Sequence, residues 1–424
     1  MPDTAPISRA HARYTLAVLA AVYGFNMLDR QILGILFEPI KAEFEASDTA
    51  MGLLTGLVFA LFYTTAGIPL ARLSDGGVRR SVLAGGLAVW SAMTALCGAA
   101  QSFFQLALAR IGVGIGEATA SPASISMIAD LYPPERRSTA LSIYTFGSGV
   151  GVMIALPLGG WLNELYGWRV AFFAVGLPGL LMALVVRLTV REPTRGASDG
   201  RVVSAAPPPG AETLRARWGI RSYRHLLVGA GLQNGTLFAL YFFTAAFLER
   251  VHGMSTGEAG TWLGVIYGGI GALGTLAGGV LADRLQKRDV RWNLWISALG
   301  NGVAIPFLLG FLFLPDSTPA LLLLGVFAFP SIVMYAPVYA LTQTLAHPRI
   351  RAMSAALFMF VLNVLGMGVG PTLVGFLSDS LQGPFGDESL RYALLAGAGL
   401  SAWSVIHLTL GARTLAADIR AATE

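Results

Sequence analysis

Four ionisable residues stand inside long apolar stretches of this sequence. Asp29 and Arg30 belong to one stretch, and Arg110 and Glu117 belong to another. A charged side chain at the centre of a bilayer costs roughly 2.5–3.5 kcal/mol on insertion scales, so such residues face a cavity or one another. A carboxylate in a medium of low dielectric is readily protonated, because desolvation disfavours its charged form. An arginine pairs with a carboxylate or with a phosphate.

These residue types predict proton exchange and recognition of an anionic group. We predict Asp29 and Glu117 as the proton-coupling residues. Arg30 and Arg110 are the predicted partners of these carboxylates or of an anionic headgroup. Arg110 and Glu117 are seven positions apart, which is two helical turns, and therefore share one helix face. The simpler alternative is an ion-pair cluster that only fixes helix packing.

The composition sets the class of the protein. The chain has 424 residues, of which 54% are hydrophobic and 12% are charged, and its mean hydropathy is +0.64. Soluble domains carry about 25% charged residues, so this composition predicts a membrane protein. The single cysteine, Cys97, excludes an intramolecular disulfide and a cysteine metal site. The histidines lack metal-ligand spacing, so we expect no metal and no cofactor.

Twelve apolar segments are long enough to cross a bilayer, which takes about 20 residues each. The polar stretch 191–224, rich in arginine and proline, separates the first six segments from the last six. We therefore predict an all-α membrane protein with an N-terminal six-helix bundle (1–190), a cytoplasmic linker (191–224) and a C-terminal six-helix bundle (225–424). The segments are 15–37, 50–71, 82–100, 104–130, 139–163, 169–190, 225–248, 258–282, 292–314, 319–346, 353–378 and 390–411.

The positively charged residues predict the orientation of the chain. Lysines and arginines collect in the termini and in the even-numbered connections, and such residues mark the cytoplasmic side. We therefore expect an integral protein of the plasma (inner) membrane with both termini in the cytoplasm. The formal net charge of +5 follows from this pattern and gives no support to nucleic-acid binding.

The two halves of the chain repeat each other. Asp75 and Asp283 stand 208 positions apart in similar basic loops, and Arg137 and Arg351 stand 214 apart. Parallel duplication of a six-helix unit is typical of transporters whose halves move about a central site. Acidic residues at helix ends can cap a neighbouring helix or pair with arginines when one side closes. We predict a gating network of Asp75, Arg79, Arg80, Arg137, Asp283, Arg284 and Arg351.

The last six segments contain no charged residue away from their ends and are rich in aromatic residues. A cavity formed by both halves would be charged on one wall and apolar on the other, which suits an amphiphile with an anionic or zwitterionic head. Ordinary helix packing is the alternative for each aromatic residue. The candidate lining residues are Gln233, Asn234, Phe238, Tyr241, Met334, Tyr335, Phe358 and Asn363.

The loop pattern Gly/Ala-x3-Asp-x3-Arg/Lys-Arg after the second and eighth segments resembles the signature of the major facilitator superfamily. Its first copy has Ala71 in place of glycine and Gly76 in place of arginine. The stretches FNMLDRQILGILFEPIKAEF (25–44) and GLLTGLVFALFYTTAGIPLARLSD (52–75) resemble the Spinster-like branch of this superfamily, as does 167–193. The resemblance implies transport of lysophospholipids or sphingoid phosphates, with proton coupling in some members. It also implies functional roles for the Asp29–Arg30 pair and Glu117.

Pattern and resemblance together predict a secondary active transporter that works by alternating access. We expect proton-coupled transport of a lysophospholipid or a related amphiphilic lipid by a monomer in the bilayer. An organic-anion or drug porter of the same fold is the alternative. A membrane enzyme would need paired polar catalytic residues at an interface, and the sequence offers none, so we expect no enzymatic activity.

Overall fold

The computed structural model describes residues 7–195, 218–345 and 357–423, so most of the predicted linker lies outside the described residues. Within these ranges the chain is helical apart from short connections, and no strand occurs. The all-α fold class is confirmed. The helices of the first half are α1 (Arg9–Ile35), α2 (Phe37–Phe44), α3 (Asp48–Leu53), α4 (Phe59–Gly76), α5 (Arg79–Gly98), α6 (Phe103–Glu117), α7 (Ala120–Leu131), α8 (Pro134–Tyr166) and α9 (Trp168–Thr189).

The second half continues the same pattern of long helices. Its helices are α10 (Arg221–His252), α11 (Thr256–Leu263), α12 (Gly271–Leu285), α13 (Trp292–Phe313), α14 (Ser317–Ile332), α15 (Tyr335–Thr344), α16 (Gly370–Phe385) and α17 (Ser389–Thr423). Residues 357–361 are also helical. Three π-helical turns, at Leu54–Val58, Gly264–Ile270 and Leu362–Val369, join α3 to α4, join α11 to α12 and precede α16.

In the described part of the chain, nine continuous helical stretches are long and apolar enough to cross a membrane. One of them, Leu357–Arg420, contains both of the last two predicted segments. The predicted first segment is helix α1, whose polar residues around Asp29 lower its hydropathy. The predicted fourth segment is two helices, because the backbone breaks after Glu117 and resumes at Ala120. The four charged residues thus lie in the first and fourth predicted segments, which are not among these nine stretches.

The chain forms two compact units. The first comprises Met1–Ala46, Val58–Ser204 and Ser255–Gly264, and the second comprises Ser47–Leu57, Ala205–Met254 and Val265–Glu424. Helix α3 therefore belongs to the second unit, and helix α11 belongs to the first. One boundary falls after Leu57, inside the π-helical turn Leu54–Val58. The other falls after Gly264, the first residue of the π-helical turn Gly264–Ile270. A π turn is rare and commonly marks a functional position in a helix.

Helix α3 is fixed in the second unit by buried charges. Asp379 accepts hydrogen bonds from the backbone nitrogens of Asp48 and Thr49 at 2.9 and 2.8 Å, and so caps the start of α3. The two guanidinium nitrogens Nη1 and Nη2 of Arg250 each donate to one carboxylate oxygen of Asp48 at 2.7 Å. Ser378 Oγ donates to Asp48 at 2.6 Å. These bonds satisfy a carboxylate that is almost completely buried.

Helix α11 is held in the first unit by a similar arrangement. The backbone nitrogen of Gly257 donates to Glu164 Oε1 at 2.6 Å, and Asn163 Nδ2 donates to Thr256 Oγ1 at 3.3 Å. Glu164 and Asp379 are 215 positions apart, close to the spacing of the sequence repeat. The internal duplication therefore extends to the carboxylate that caps a short helix.

Glycine allows these short helices to approach their neighbours. A Cβ atom on Gly52 of α3 would lie 2.6 Å from the carbonyl oxygen of Pro371 in the second unit. A Cβ atom on Gly260 of α11 would lie 2.3 Å from the carbonyl oxygen of Leu156 in the first unit. Alanine cannot occupy either position without displacing the backbone.

We expect the substitution Asp379→Ala to destabilise the protein, because α3 keeps the Ser47 cap on the Ala50 nitrogen but loses the hydrogen bonds from the Asp48 and Thr49 nitrogens. Hydrogen bonds to a charged group contribute about 1.5–3 kcal/mol each, which in a chain of this size is a decrease of a few degrees in melting temperature. Thermal unfolding of the purified protein measures the effect.

Asp316→Ala is the matched control for Asp379→Ala. Asp316 lies at the start of a helix, α14, but its side chain makes no capping hydrogen bond. Equal changes in melting temperature for the two variants would contradict the capping role of Asp379.

Candidate functional site

Helices α1 and α6 bring the four predicted charges together in the first unit. Ser8 caps α1 by accepting a hydrogen bond from the backbone nitrogen of His11 at 3.2 Å. Ser102 caps α6 in the same way through Gln105 at 3.3 Å. A Cβ atom on Gly116 of α6 would lie 2.7 Å from the backbone nitrogen of Trp90, so glycine is required for the close packing of α6 on α5. Because Glu117 follows Gly116 directly, this packing fixes the position of Glu117 relative to α5.

Arg30 and Glu117 form a buried ion pair. Arg30 Nε donates to Glu117 Oε2 at 2.6 Å. The side chain of Glu117 is completely buried, whereas that of Arg30 is 12% exposed. The second carboxylate oxygen, Oε1, is buried without a hydrogen-bond partner. Glu117 therefore has one paired and one unpaired oxygen, and Arg30 is the member of the pair that is partly accessible.

Arg110 and Asp29 lie beside this ion pair, and each is 1% exposed. Arg110 Nη1 donates to the backbone carbonyl oxygen of Asp29 at 3.3 Å. Asp29 Oδ1 and Arg110 Nε are buried and make no hydrogen bond of ordinary geometry, although the Thr94 and Trp90 side chains lie near the Asp29 carboxyl group. A buried polar group without a partner is costly and is expected at sites of function. Asp29 thus presents an unpaired carboxylate oxygen close to a guanidinium group.

Aromatic rings cover the two guanidinium groups. The Arg30 guanidinium carbon lies 4.5 Å from the ring centre of Tyr63 and 5.4 Å from that of Phe59. The Arg110 guanidinium carbon lies 5.1 Å from the ring centre of Phe59. Each contact has cation–π geometry, which stabilises a desolvated cation. Sequence reasoning did not select Phe59 and Tyr63, although their spacing of four residues places both on one face of α4.

The polar candidates of the second unit make hydrogen bonds within that unit. Gln233 accepts a hydrogen bond from Ser401 Oγ at 2.8 Å, and Asn234 Nδ2 donates to the carbonyl oxygen of Leu362 at 2.8 Å. Tyr335 Oη donates to Asn234 Oδ1. Gln233 and Asn234 are buried, and their hydrogen bonds hold helices of the second unit together.

The other lining candidates differ in burial. Met334 and Phe358 are buried in an apolar cluster of the second unit. Phe238 and Tyr241 are half-buried, and the ring of Tyr241 lies 4.4 Å from that of Tyr267. Asn363 is half-buried in a π-helical turn. Their role as cavity-lining residues stays a prediction.

Arg79, one of the predicted gating residues, is the centre of a charge network in the first unit. Its buried guanidinium group pairs with Asp130, bonds Glu192 Oε1 at 2.7 Å and donates to the carbonyl oxygen of Pro193 at 2.7 Å. The backbone N–H of Arg80 donates a hydrogen bond to Glu192 Oε2 at 2.8 Å. These bonds attach the start of α5 to the segment that follows α9.

The other gating candidates are Asp75, Arg137, Asp283, Arg284 and Arg351. Arg137 Nη2 donates to the carbonyl oxygen of Ala129 at 2.7 Å, and Asp283 Oδ1 accepts from Gln286 Nε2 at 3.1 Å. Arg284 is exposed. Asp75 lies within α4, but its side chain is outside the described part, as is all of Arg351. The gating role of these residues stays a prediction.

Comparison with known proteins identifies the family. The model of the Major Facilitator Superfamily matches residues 19–371. The chain belongs to the major facilitator superfamily. This membership confirms the predicted fold, with twelve helices in two six-helix bundles, and the prediction of a transport protein rather than an enzyme.

Individual relatives support the Spinster-like branch. The chain is 38% identical over 383 residues to an MFS-type efflux pump of Mycolicibacterium smegmatis, with 90% of this chain and 87% of that protein covered. It is 27% identical over 402 residues to protein spinster homolog 1 of Mus musculus, covering 89% and 75%. A crystal structure of a bacterial homolog to the human lysosomal transporter Spinster, inward-facing and unoccupied, matches with a TM-score of 0.88 and 30% identity. That match covers 97% of this chain and 99% of that one. The predicted resemblance to Spinster-like transporters is confirmed.

We expect the coupling of Arg30 and Glu117 to appear in a double-mutant cycle. Arg30→Met leaves a carboxylate buried and unpaired, which costs about 3–5 kcal/mol, whereas replacement of both partners by apolar residues is often neutral. The double variant Arg30→Met/Glu117→Met should therefore be more stable than the single variant Arg30→Met. Thermal unfolding of the purified variants measures the interaction, and strictly additive losses would show that the pair is not coupled.

Proposed function

We propose that this transporter couples the movement of protons to that of a lysophospholipid or a related amphiphilic lipid by alternating access. The observation that supports the proposal most directly is the ion pair between Arg30 and Glu117, with Asp29 and Arg110 beside it, in helices α1 and α6. Charges at this depth are expensive. A transport role explains why two carboxylates and two arginines occupy one buried site.

The geometry suggests how proton binding at Glu117 makes Arg30 available to a substrate. Protonation of Glu117 would remove the negative charge that pairs with Arg30, and so free the Arg30 guanidinium for another anion. Arg30 is the partly accessible member of the pair, so an incoming phosphate reaches it more readily than it reaches Glu117. Tyr63 and Phe59 cover the guanidinium and keep it oriented while its partner changes.

Asp29 provides a second site for a proton. Its Oδ1 atom has no hydrogen-bond partner, and the nearby Arg110 donates to its backbone carbonyl oxygen. Protonation of Asp29 would remove a negative charge near Arg110, so that the positive charge of Arg110 would attract a substrate headgroup more strongly. The proposed site therefore combines two carboxylates as proton acceptors with two arginines as partners for an anionic group.

A drug or organic-anion porter is the second candidate function. It is favoured by the 38% identity to the protein named an MFS-type efflux pump. The same proton chemistry serves either substrate class, because release of Arg30 from Glu117 frees a site for any anionic group. The two functions differ in the size and apolar content of the substrate.

The Glu117→Gln substitution tests proton coupling. Glutamine keeps the shape of the side chain but does not titrate, so we expect loss of transport driven by a pH gradient, with substrate binding retained. Purified protein in proteoliposomes, an imposed pH gradient and labelled lysophosphatidylglycerol measure transport. Lysolipid binding is measured separately by its effect on thermal stability.

Two further variants complete this test. Asp29→Asn should also reduce transport, because it removes both a proton site and a negative charge beside Arg110. Glu45→Gln, the same type of change at an exposed carboxylate, should leave transport unchanged. Normal uptake with an unaltered pH profile in Glu117→Gln would show that Glu117 does not couple proton movement to transport.

Substrate discrimination should depend on the headgroup more strongly than on the tail. An unpaired buried phosphate is very costly. Arg110→Gln should therefore weaken the binding of anionic lysolipids more than the binding of zwitterionic ones. Each added CH₂ contributes at most about 0.8 kcal/mol relative to water, and less when the tail arrives from the bilayer. Competition for uptake by lysophosphatidylglycerol, lysophosphatidylcholine and short dicarboxylates measures both effects. Stronger competition by the dicarboxylates would favour the organic-anion porter.

A further inference from the structure

An apolar groove of about 440 Å³ runs along the surface of the second unit between α13 and α17. Its volume lies within the range of small-molecule sites. Both helices belong to membrane-spanning stretches. The residues that line it include Trp292, Trp295, Leu299, Val303, Val405 and Thr409. Leu299 and Val303 are more than half exposed, so the groove opens towards the lipid.

Contacts between α13 and α17 fix which residues stand at the end of the groove. Asn301 Nδ2 donates to Ser404 Oγ at 3.1 Å, and a Cβ atom on Gly411 would lie 3.2 Å from Leu294. The two helices are therefore antiparallel, and Trp292 lies opposite the helical turn that contains Arg413. Arg413 is one turn beyond Thr409 and shares its helix face.

Two arginines at this end of the groove, Arg291 and Arg413, could bind an anionic group. Arg413 is exposed and makes no ion pair with any residue that the structure describes. Arg291 immediately precedes α13, and its side chain is 41% exposed. Its Nε atom is buried without a hydrogen-bond partner and forms a long ion pair, at 4.0 Å, with Asp289 Oδ1. Two tryptophans followed by two arginines form the usual transition from the apolar core to the headgroup region.

We propose that this groove binds one anionic diacyl phospholipid from the adjacent leaflet. An acyl chain lies along the apolar wall of α13 and α17, and the phosphate lies between Arg291 and Arg413. Arginine suits a phosphate because its guanidinium group offers several donors in one plane. This site is separate from the charge cluster of the first unit and does not depend on which substrate the protein transports.

The two tryptophans of the groove make direct measurement possible. Lipids with bromine atoms on an acyl chain quench the fluorescence of tryptophans that they contact. The protein has eight tryptophans, so the contribution of the groove is the difference between the unmodified protein and the variant Trp292→Phe/Trp295→Phe. The titration uses the full chain in bilayers of phosphatidylcholine, to which brominated phosphatidylglycerol or brominated phosphatidylcholine is added.

We expect brominated phosphatidylglycerol to quench this component at lower mole fraction than brominated phosphatidylcholine. The preference should be about fivefold for each arginine at low salt. Arg413→Gln and Arg291→Gln should each reduce the preference. Arg187→Gln, which removes an exposed arginine near the end of α9, should leave it unchanged.

A steric variant tests the groove without altering charge. A Cβ atom on Gly302 would make only ordinary contact, 3.8 Å from Val405, so Gly302→Leu places its side chain in the groove without disturbing the backbone. This variant should lose the quenching by brominated phosphatidylglycerol. Gly399→Leu is the control, because nothing lies within 4 Å of a Cβ atom at that position.

Two results would overturn the proposal. The first is equal quenching by the two brominated lipids in the unmodified protein. The second is a preference for phosphatidylglycerol that persists in Arg413→Gln/Arg291→Gln. If this face instead joined two copies of the chain, Gly302→Leu would abolish a cross-linked dimer and the lipid headgroup would have no effect. Because no arm of the experiment measures transport, its failure would leave the proposed function unaffected.

Discussion

The pairing of buried charges in helices surrounded by lipid is the constraint that organises the first unit. Glu117 has no access to solvent, so its negative charge requires a cation within bonding distance, and Arg30 supplies it at 2.6 Å. This requirement places the Arg30 side chain of α1 next to the end of α6. The close packing of α6 on α5 through Gly116, and the aromatic cover from α4, follow from the same need to hold desolvated charges in place.

The second unit buries its polar groups in a different way. Gln233, Ser401 and Thr236 form a hydrogen-bonded chain, and Asn301 and Ser404 form another, all with uncharged side chains. Such bonds bring helices into register without the cost of burying a charge. They also do not respond to proton concentration. The second unit therefore combines neutral hydrogen bonds of this kind with the buried ion pair of Asp48 and Arg250, whereas the polar site of the first unit is built from charged side chains.

The internal duplication is more complete in the structure than in the loop signatures. In each unit a carboxylate, Glu164 or Asp379, caps a short helix that comes from the other half of the sequence. Each short helix ends at a π-helical turn that coincides with a unit boundary. A repeated carboxylate and a repeated π turn indicate that both belong to the duplicated unit itself.

The sequence alone determined the fold class, because long apolar stretches have no other stable form in a membrane than helices or closed barrels. It also selected Asp29, Arg30, Arg110 and Glu117, since charges inside apolar stretches stand out by composition. Tertiary structure decided which charges pair, because Arg30 of α1 reaches Glu117 of α6 only after the helices of the first unit have assembled.

Tertiary structure alone also revealed Phe59 and Tyr63 as the cover of the guanidinium groups, and Glu164 and Asp379 as caps. Aromatic residues are common in any membrane helix, and the two carboxylates differ in type, so neither pair gives a clear signal in one sequence. The break after Glu117 does have a signal in the sequence, because Pro122 stands in the first turn of α7 and has no N–H to continue the helix from the preceding turn. The close approach of Thr119 to Gly86 at this point is visible only in the structure.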